Sequence, residues 1–523
     1  MSMQDDGLEM NFTPFRGIIG DIKRRMPHYI DDYKKGFHPK VLASILFLFF
    51  ACLANAIAFG ALTGAVTGNA IGVVEMLVAT AVGGILFAVC SGQPLTILGG
   101  TGPIVIFTGL LYQVCVSYNI DFLATYAWVG IWSSIFMIAA AVFNTSALMR
   151  FFTRFTDEIF AALIAVIFIV EAVKDMVTPF TVPADLYRAD VALLTMTLGL
   201  GTYIFARTMK NFARTQYASR TVRNMISDFG PAIAIGLMTL FAMQISEVPL
   251  KVPAIPEAFA PTAQVDGQPR PWLIDVFAVP TWVIFASIIP ALMATILLFL
   301  DQNITTRIVN APAHKLTKGA GFHLDLLVVG LITGACSIFG LPWIVAATVH
   351  AVNHVKSLAN MKVVTAGGQK KEVIDNVIEN RMSPLVIHLL IAGSIFALSL
   401  IKVIPMAVLF GLFLFMGFAT LSGNQFWERV TLWVTDRALY PETHYVKTVP
   451  NAAIHKFTLI QVLSLGALWV LKTSKLGILF PVLIAMLVPL RLLLKKYFKE
   501  EHLAALDSEE EDDEESAEYS LHA

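Results

Sequence analysis

Twelve apolar stretches, each about long enough to cross a lipid bilayer, recur along this chain. An α-helix needs roughly 20 residues to span the hydrocarbon core. The sequence is 56% hydrophobic and 14% charged, which is too apolar for a water-soluble core to bury all of that surface. We therefore expect an all-α polytopic membrane protein. The stretches lie near 41–62, 72–92, 122–145, 158–178, 190–207, 224–245, 281–300, 322–341, 384–402, 405–422, 456–472 and 476–494.

Two further apolar segments are interrupted. PLTILGGTGPIVIFTGLL begins at Pro94, and PWIVAATVHAV begins at Pro342. In each, a proline precedes a short extended stretch and then small residues, a pattern that predicts a discontinuous helix. Counting both gives fourteen transmembrane segments.

The basic residues test this count. With fourteen segments both termini lie on one side, and all but seven of the 37 Lys and Arg residues lie on that side. Such a bias marks the cytosolic side. We expect a multi-pass protein of the cell membrane with both termini in the cytosol. The seven exceptions are Lys174, Arg188, Lys251, Arg270, Lys402, Lys472 and Lys475.

The fourteen segments divide into two sevens. Because seven is odd, the halves cross in opposite directions, as inverted repeats do, and each half has its broken segment in third place. We expect a cytosolic amphipathic segment at 1–40, a first repeat at 41–245, an extracellular proline-rich loop at 246–280, a second repeat at 281–494 and a cytosolic acidic tail at 495–523. The acidic run is read as a solvated tail, or alternatively as a docking site for a soluble partner.

The broken segments predict an anion site. Two half-helices of inverted repeats meet near the midplane with facing N-termini, each worth roughly +0.5 charge. Small residues around Thr101 and Gly102, and at Ala346, Ala347 and Thr348, let the backbone approach a ligand. The alternative is that these residues only pack helices closely.

Asp301 is the most informative single residue. A carboxylate at membrane depth costs about 2.5–3.5 kcal/mol and needs a partner or a function. Thr305 follows one helical turn later on the same face, and a carboxylate with a hydroxyl suits a hard cation such as Na⁺. The alternative places Asp301 at the membrane interface, where it caps a helix or is solvated.

Enzyme and nucleic-acid functions find no support. The sequence contains neither a phosphate-binding G-x-x-x-x-G-K-[ST] motif nor H-E-x-x-H, so we expect a protein that is not an enzyme and carries no cofactor. Its net charge of -1, without a dominant basic block, argues against nucleic acid. Ion gradients are the expected energy source.

Several long stretches resemble the membrane domain of the bicarbonate transporter family, which includes anion exchangers, sodium-coupled bicarbonate transporters and borate exporters. The resemblance covers nearly the whole chain. It rests on NAIAFGALTG, GQPLTILGGTGPIVIF, FTRFTDEIF, FLDQNIT, KGAGFHLDLL, PWIVAATV and IPMAVLFGLFLFMG.

The resemblance implies a function and a site. The motif F-x-D-Q-x-I-T carries Asp in this chain, which resembles the sodium-coupled branch. The anion exchangers typically carry Glu at the same position. The resemblance implies that Asp301 and Thr305 coordinate Na⁺, and that backbone groups around Thr101–Pro103 and Ala346–Thr348 hold bicarbonate or carbonate. It further implies a homodimer in which a core domain (segments 1–4 and 8–11) slides past a gate domain in an elevator-type alternating-access cycle.

Two positions depart from the family pattern. Thr108 stands where Glu is common, and His350 stands where the anion exchangers carry Arg. A protonated His350 would offset the charge of carbonate, so a proton is a further candidate coupling ion. The alternative is a neutral imidazole bonded to a backbone carbonyl. Other readings are a chloride/bicarbonate exchanger without sodium, a borate or other oxyanion transporter, and an anion channel.

Overall fold

The computed structural model describes residues 8–508 apart from 184–186, 266, 367–368 and 442. The chain is mainly helical. The first half contains α1 (Arg16–Arg25), α2 (Tyr29–Lys34), α3 (Pro39–Val66), α4 (Val73–Cys90), α5 (Gly102–Ser117), α6 (Phe122–Val142), α7 (Arg154–Val177), α8 (Ala189–Phe212) and α9 (Arg220–Met243).

The second half repeats this pattern with more breaks. It contains α10 (Thr281–Ala286), α11 (Ile288–Val309), α12 (Phe322–Ile338), α13 (Thr348–Leu358), α14 (Met382–Ser394), α15 (Leu398–Ile401), α16 (Met406–Leu421), α17 (Gln425–Thr431), α18 (His444–Thr448), α19 (Asn451–Thr473), α20 (Phe480–Leu494) and α21 (Glu500–Asp507). Six short strands form three antiparallel pairs: β1 (Leu98–Gly99) with β4 (Val345–Ala346), β2 (Gln264–Val265) with β3 (Gln268–Pro269), and β5 (Ala359–Ala366) with β6 (Gln369–Val377).

The chain is an all-α polytopic membrane protein, as expected. Within the described residues, nine helices are long and apolar enough to cross a membrane, or up to ten if the bent pair α16 and α17 counts as one span. All twelve continuous apolar stretches predicted from the sequence coincide with a helix or helix pair, and each broken segment holds a strand followed by a helix.

Five predicted segments fall outside the nine long apolar helices for identifiable reasons. The helices α5, α12 and α13 have only 16, 17 and 11 residues. The helix α7 carries charged residues in both its first and last turns, and α16 meets α17 at an angle of 81°. Length and charge alone therefore undercount the helices that line the interior of this fold.

The two broken segments meet directly. Leu98 pairs with Ala346, and Gly99 pairs with Val345, in an antiparallel arrangement. The backbone N–H of Ala347 also donates to the carbonyl of Ile97 at 2.9 Å. Because the paired strands run in opposite directions, the helices that follow them leave the pair in opposite directions. This is the geometry that inverted repeats produce at their meeting point.

The helices pack in two groups. In one, α6 contacts α11 and α12, while α14 contacts α3 and α4. In the other, α7 contacts α16, α8 and α19, and α8 contacts α9. We call them the core group and the gate group; that they act as the core and gate domains implied by the family resemblance stays a prediction. The repeat boundaries at 41–245 and 281–494 stay a prediction.

The N-terminal segment is attached to the core group. Asp21 of α1 accepts hydrogen bonds from the backbone N–H groups of His323 and Leu324 at 2.8 and 3.0 Å. These are N–H groups of the first turn of α12, which lack partners within that helix. The segment 1–40 thus caps a core helix. At the other end of the chain, the acidic run beyond Ser508 lies outside the described residues.

The proline-rich loop between the repeats is also anchored. It is irregular apart from the β2–β3 hairpin. Glu75 in the first turn of α4 accepts from the Thr262 backbone N–H at 2.7 Å and forms an ion pair with Arg270 at 3.6 Å. A carboxylate at the positive end of a helix is favourable, so Glu75 holds the loop against α4.

Candidate functional site

Two half-helices begin next to the β1–β4 pair. Thr101, in an extended conformation, precedes the first helical residue Gly102 of α5. Ala347, also extended, precedes Thr348, where α13 starts. The first N–H groups of a helix have no partner inside it, and they carry the positive end of the helix dipole. Two such ends beside one strand pair create a region of positive potential.

A cavity of about 1970 Å³ opens beside these helix ends. Its wall includes every residue predicted to bind the anion, and Asp301 as well. The seven predicted anion-binding residues are Thr101, Gly102, Pro103, Ala346, Ala347, Thr348 and His350. The fold thus brings together residues that are separated by more than two hundred positions in the sequence.

Asp301 lies on α11 and faces the first half-helix. The Thr101 hydroxyl donates to its Oδ2 atom at 2.7 Å. Only 6% of the Asp301 surface is exposed. This burial and the bond from Thr101 argue against a freely solvated carboxylate, while the depth of Asp301 in the membrane stays a prediction. A buried carboxylate with one hydroxyl donor retains acceptor capacity for a cation.

Thr305 lies one turn further along α11 and faces the second half-helix. Its hydroxyl is 2.7 Å from the Thr348 hydroxyl and 3.4 Å from the Ala346 carbonyl oxygen. It is fully buried, behind the residues that line the cavity. The predicted sodium pair therefore contacts both half-helices, Asp301 at one and Thr305 at the other. Whether the two share a sodium ion stays a prediction.

His350 is the third residue of α13 and lies in its first turn. Its Nε2 atom is 3.3 Å from the carbonyl oxygen of Ala51 in α3. A neutral imidazole protonated at Nε2 can donate to that carbonyl. The arrangement fits the alternative of a neutral histidine bonded to the backbone, with the ring still forming part of the cavity wall.

Two amides hold the half-helices and were not singled out from the sequence. Asn55 of α3 donates from Nδ2 to the Gly100 carbonyl at 3.3 Å. Gln302 of α11 accepts at Oε1 from the Ala346 N–H at 3.2 Å. Both are buried. Each of these amides lies inside an apolar run of the sequence, and Gln302 directly follows Asp301. This signal could have identified them, because polar side chains in a membrane need a partner.

Aromatic rings from both helix groups close one side of the site. Phe59 of α3, Phe168 of α7 and Phe413 of α16 have centroids 5.4–5.6 Å apart. A Cβ atom on Gly102 would lie 2.8 Å from Cε1 of Phe168. The absence of a side chain at Gly102 therefore permits the close approach of α5 to α7.

An ion pair joins the two helix groups at the other end of the cavity. Arg307, near the end of α11, pairs with Asp157 in the first turn of α7 and donates to the Phe152 carbonyl at 2.6 Å. Arg307 and Asp157 both line the cavity. The core and gate groups are thus in contact at Gly102 with Phe168 and at Arg307 with Asp157.

Comparison with known sequences identifies the family. The profile described as the HCO3⁻ transporter integral membrane domain matches residues 13–186 and 180–511. The Band 3 anion transport protein of Rattus norvegicus is 37% identical over 525 residues, which cover 97% of this chain and 56% of that protein. Anion exchange protein 3 of Danio rerio is 36% identical over 533 residues, covering 96% and 45%. This chain spans about half the length of these relatives.

Comparison with solved structures supports the fold. The transmembrane domain of the cyanobacterial bicarbonate transporter BicA matches with a TM-score of 0.58 and 16% identity, covering 85% of this chain and 97% of that one. The murine Slc26a9 anion transporter in its inward-facing state matches with a TM-score of 0.57 and 12% identity, covering 92% and 71%. The family profile, the sequence relatives and the paired half-helices lead to one conclusion: this chain belongs to the bicarbonate transporter family.

Proposed function

We propose that this chain transports bicarbonate or carbonate across the cell membrane by alternating access, with Asp301 as the site of a coupling cation. The observation that carries the proposal is the hydrogen bond from Thr101 Oγ1 to Asp301 Oδ2 at 2.7 Å. This bond puts a carboxylate directly beside a helix N-terminus that suits an anion. The proposed anion and cation sites would therefore be adjacent, an arrangement that suits coupled transport.

Charge balance favours a cation. The two half-helix ends contribute about +1 together, and an ionised Asp301 contributes -1. Adding bicarbonate leaves the pocket near -1, which is costly in a region of low dielectric. One Na⁺ or one proton restores neutrality. If the anion is carbonate and His350 is neutral, the pocket needs a second cation besides the first to reach neutrality. We propose Na⁺ as the coupling ion and regard H⁺ as the alternative at the same carboxylate.

The movement in this proposal follows from the packing. The half-helices α5 and α13 both contact α3 and α11 of the core group, the helices that carry Asn55 and Gln302. The proposed ligands therefore travel together. The gate group contributes Phe168 and Asp157 as a surface past which the core slides. We propose that the Gly102–Phe168 contact and the Arg307–Asp157 pair form and break in each cycle.

Exchange without sodium is a second candidate. The relatives named above are an anion transport protein and an anion exchange protein. In that mode a second anion such as chloride would return through the same site. Borate or another oxyanion would also fit a site built from backbone N–H groups, since such groups recognise negative charge more than shape.

Labelled bicarbonate uptake into proteoliposomes distinguishes these modes. We expect uptake to rise with an inward Na⁺ gradient and to be unaffected by internal chloride. Uptake that requires internal chloride and ignores Na⁺ would establish exchange instead. A flux that follows voltage alone, without counterflow, would indicate a channel and contradict alternating access.

The proposal also covers the orientation of the chain in the membrane and its oligomeric state. We propose that both termini face the cytosol, on the basis of the Lys and Arg distribution, and that the chain forms a homodimer, as the family resemblance implies. Accessibility of cysteines introduced at Lys35 and Lys251 to an impermeant reagent tests the orientation. The expected result is labelling of the Lys251 position alone from outside cells.

A further inference from the structure

Six basic residues line one end of the cavity, at the ends of α1, α7 and α11 and in the adjoining loops. We call this group the basic mouth: Arg24, Arg150, Arg154, Arg307, Lys315 and Lys318. Three carboxylates line the same end, those of Asp157, Glu158 and Asp507. The basic mouth therefore carries an excess of positive charge on the path to the anion site.

Most of these cations are already paired. Arg154 pairs with Glu158 at 3.0 Å, Arg307 pairs with Asp157, and Lys318 pairs with the buried Asp32. Arg150 instead lies over the ring of Phe151 at 4.8 Å. Within the part of the chain that the structure describes, neither Arg150 nor Lys315 has a carboxylate partner. The basic mouth thus holds two charges that are free to bind an anionic group.

The C-terminal segment reaches this place and is fixed there. Asp507 ends α21, accepts from the Phe155 backbone N–H at 3.1 Å and pairs with Arg491. The next residue, Ser508, accepts at its carbonyl from Arg154 at 3.1 Å. The chain therefore leaves the described structure at the basic mouth itself.

Eight acidic residues follow this anchor within ten positions. They are Glu509, Glu510, Glu511, Asp512, Asp513, Glu514, Glu515 and Glu518. A chain extends at most about 3.3–3.6 Å per residue, so five residues reach about 16–18 Å from Ser508. A short tether gives an effective concentration in the millimolar range.

We propose that the acidic tail 509–518 binds Arg150 and Lys315 at the basic mouth and competes there with the transported anion. The tail slows transport because it neutralises the charge that attracts anions to the cavity. This inference adds an autoinhibitory element to the proposed transport. Its flux test rests on that proposed function, but its binding test does not.

Carbodiimide cross-linking of the purified full-length chain tests the binding. This reagent joins a carboxylate and an amine that are in contact, and we expect a peptide linking Lys315 to residues 509–518. The pair Lys35 and Asp31, 3.0 Å apart, is the positive control for the reagent. Lys315→Arg removes the amine and is expected to abolish the link. Formation of the Lys35–Asp31 link without any link at Lys315 would overturn the proposal.

Transport by two tail variants tests the inhibition. One variant ends at Ser508, and the other replaces the eight acids by Gln or Asn at unchanged length. We expect both to raise initial bicarbonate uptake at least about twofold near 10 mM salt, where the Debye length is about 30 Å. The difference should vanish near 1 M potassium gluconate, where that length is about 3 Å.

A mouth variant provides the matched control. In Arg150→Gln/Lys315→Gln, removing the tail is expected to change uptake by less than in the native background. Equal uptake by the native chain and both tail variants at low salt would overturn the proposal. It would also be overturned if the chain that ends at Ser508 were faster but the chain with the eight acids replaced were not. Absence of bicarbonate uptake in every variant would instead count against the proposed function, and the cross-linking result would still decide whether the tail binds.

Discussion

The hydroxyl groups of Thr305 and Thr348 lie 2.7 Å apart and join α11 to the second half-helix. Thr305 also approaches the Ala346 carbonyl, so it fixes the start of α13 from two directions. Asp301, one turn earlier, makes the corresponding contact with Thr101 at the start of α5. A single helix therefore positions both half-helices of the site.

Thr305→Val tests this positioning role. Valine keeps the shape of threonine but removes the hydrogen bond, a loss of about 0.5–1.5 kcal/mol. We expect the KM for bicarbonate to rise by about 2–10-fold, with a smaller change in maximal rate. The control is Thr333→Val, at an equally buried hydroxyl of α12 that bonds only to its own helix at Val329. Equal kinetic effects of the two substitutions would contradict the assignment.

Gly102→Ala tests the contact between core and gate. The new Cβ would lie 2.8 Å from the Phe168 ring, and overpacking of this kind costs about 1–3 kcal/mol. We expect transport to fall about tenfold and Phe168→Ala to restore part of it. At Gly466, where a Cβ would meet no atom within 4 Å, the same substitution should leave transport unchanged. A lack of rescue by Phe168→Ala would show that the loss has another cause.

Asp157→Asn tests the ion pair that joins the groups at the basic mouth. Asp157 and Arg307 are partly exposed, so their pair contributes at most about 1 kcal/mol. If core and gate separate here in each cycle, weakening the pair lowers a barrier, and we expect turnover to rise about 2–5-fold. The control is Asp190→Asn, whose partner Arg188 belongs to the same segment. A decrease in turnover, with the control unchanged, would refute the role of the pair as a contact that must break.

Asp32→Asn tests the attachment of the N-terminal segment. Asp32 is fully buried against Arg25 at 3.5 Å, Arg381 at 3.3 Å and Lys318. Removing its charge leaves three buried cations short of a partner, and such losses cost about 3–5 kcal/mol. We expect a clearly lower thermal unfolding temperature in detergent.

The neighbouring Asp31 offers the matched control. It is exposed, and its hydrogen bond to the Lys35 ammonium, with a further contact to Lys318 at 3.4 Å, holds the pKa of that carboxyl below its usual value. Asp31→Asn is expected to lower the unfolding temperature much less than Asp32→Asn, because Asp31 itself is exposed and exposed carboxylates contribute little. Similar shifts for the two variants would argue against a buried network at Asp32.

Local sequence patterns were enough to predict the helices and the two broken segments. The length of an apolar stretch predicts a membrane-spanning helix, and the prolines and small residues near Pro94 and Pro342 predict a discontinuous helix. Neither prediction needs residues that are distant in the sequence. The same kind of reasoning found Asp301, since a carboxylate in an apolar run is costly. These features depend on residues that are adjacent in the chain.

Partners across the fold could not be predicted in this way. Thr305 was assigned to sodium because it lies one turn from Asp301, but its nearest hydroxyl is that of Thr348, 43 positions away. Asn55 and Gln302 were passed over because nothing local marks which carbonyl or N–H they bond. The pairing of Arg307 with Asp157 likewise has no local signal, because it depends on how the two helix groups pack.

The substitution Asp301→Asn tests whether this carboxylate holds the coupling cation. Asparagine keeps an oxygen that accepts from Thr101 but removes the charge that would hold the cation. Asp325→Asn is the control, because Asp325 is also buried but bonds to the backbone of Gly92 and Gln93 and does not line the cavity.

The measurement is the ratio of bicarbonate uptake with and without an inward Na⁺ or proton gradient, in proteoliposomes. We expect a ratio above one for the native chain and for Asp325→Asn, and a ratio of one for Asp301→Asn. A native-like ratio in Asp301→Asn, or a native ratio of one under both gradients, would contradict this role of Asp301.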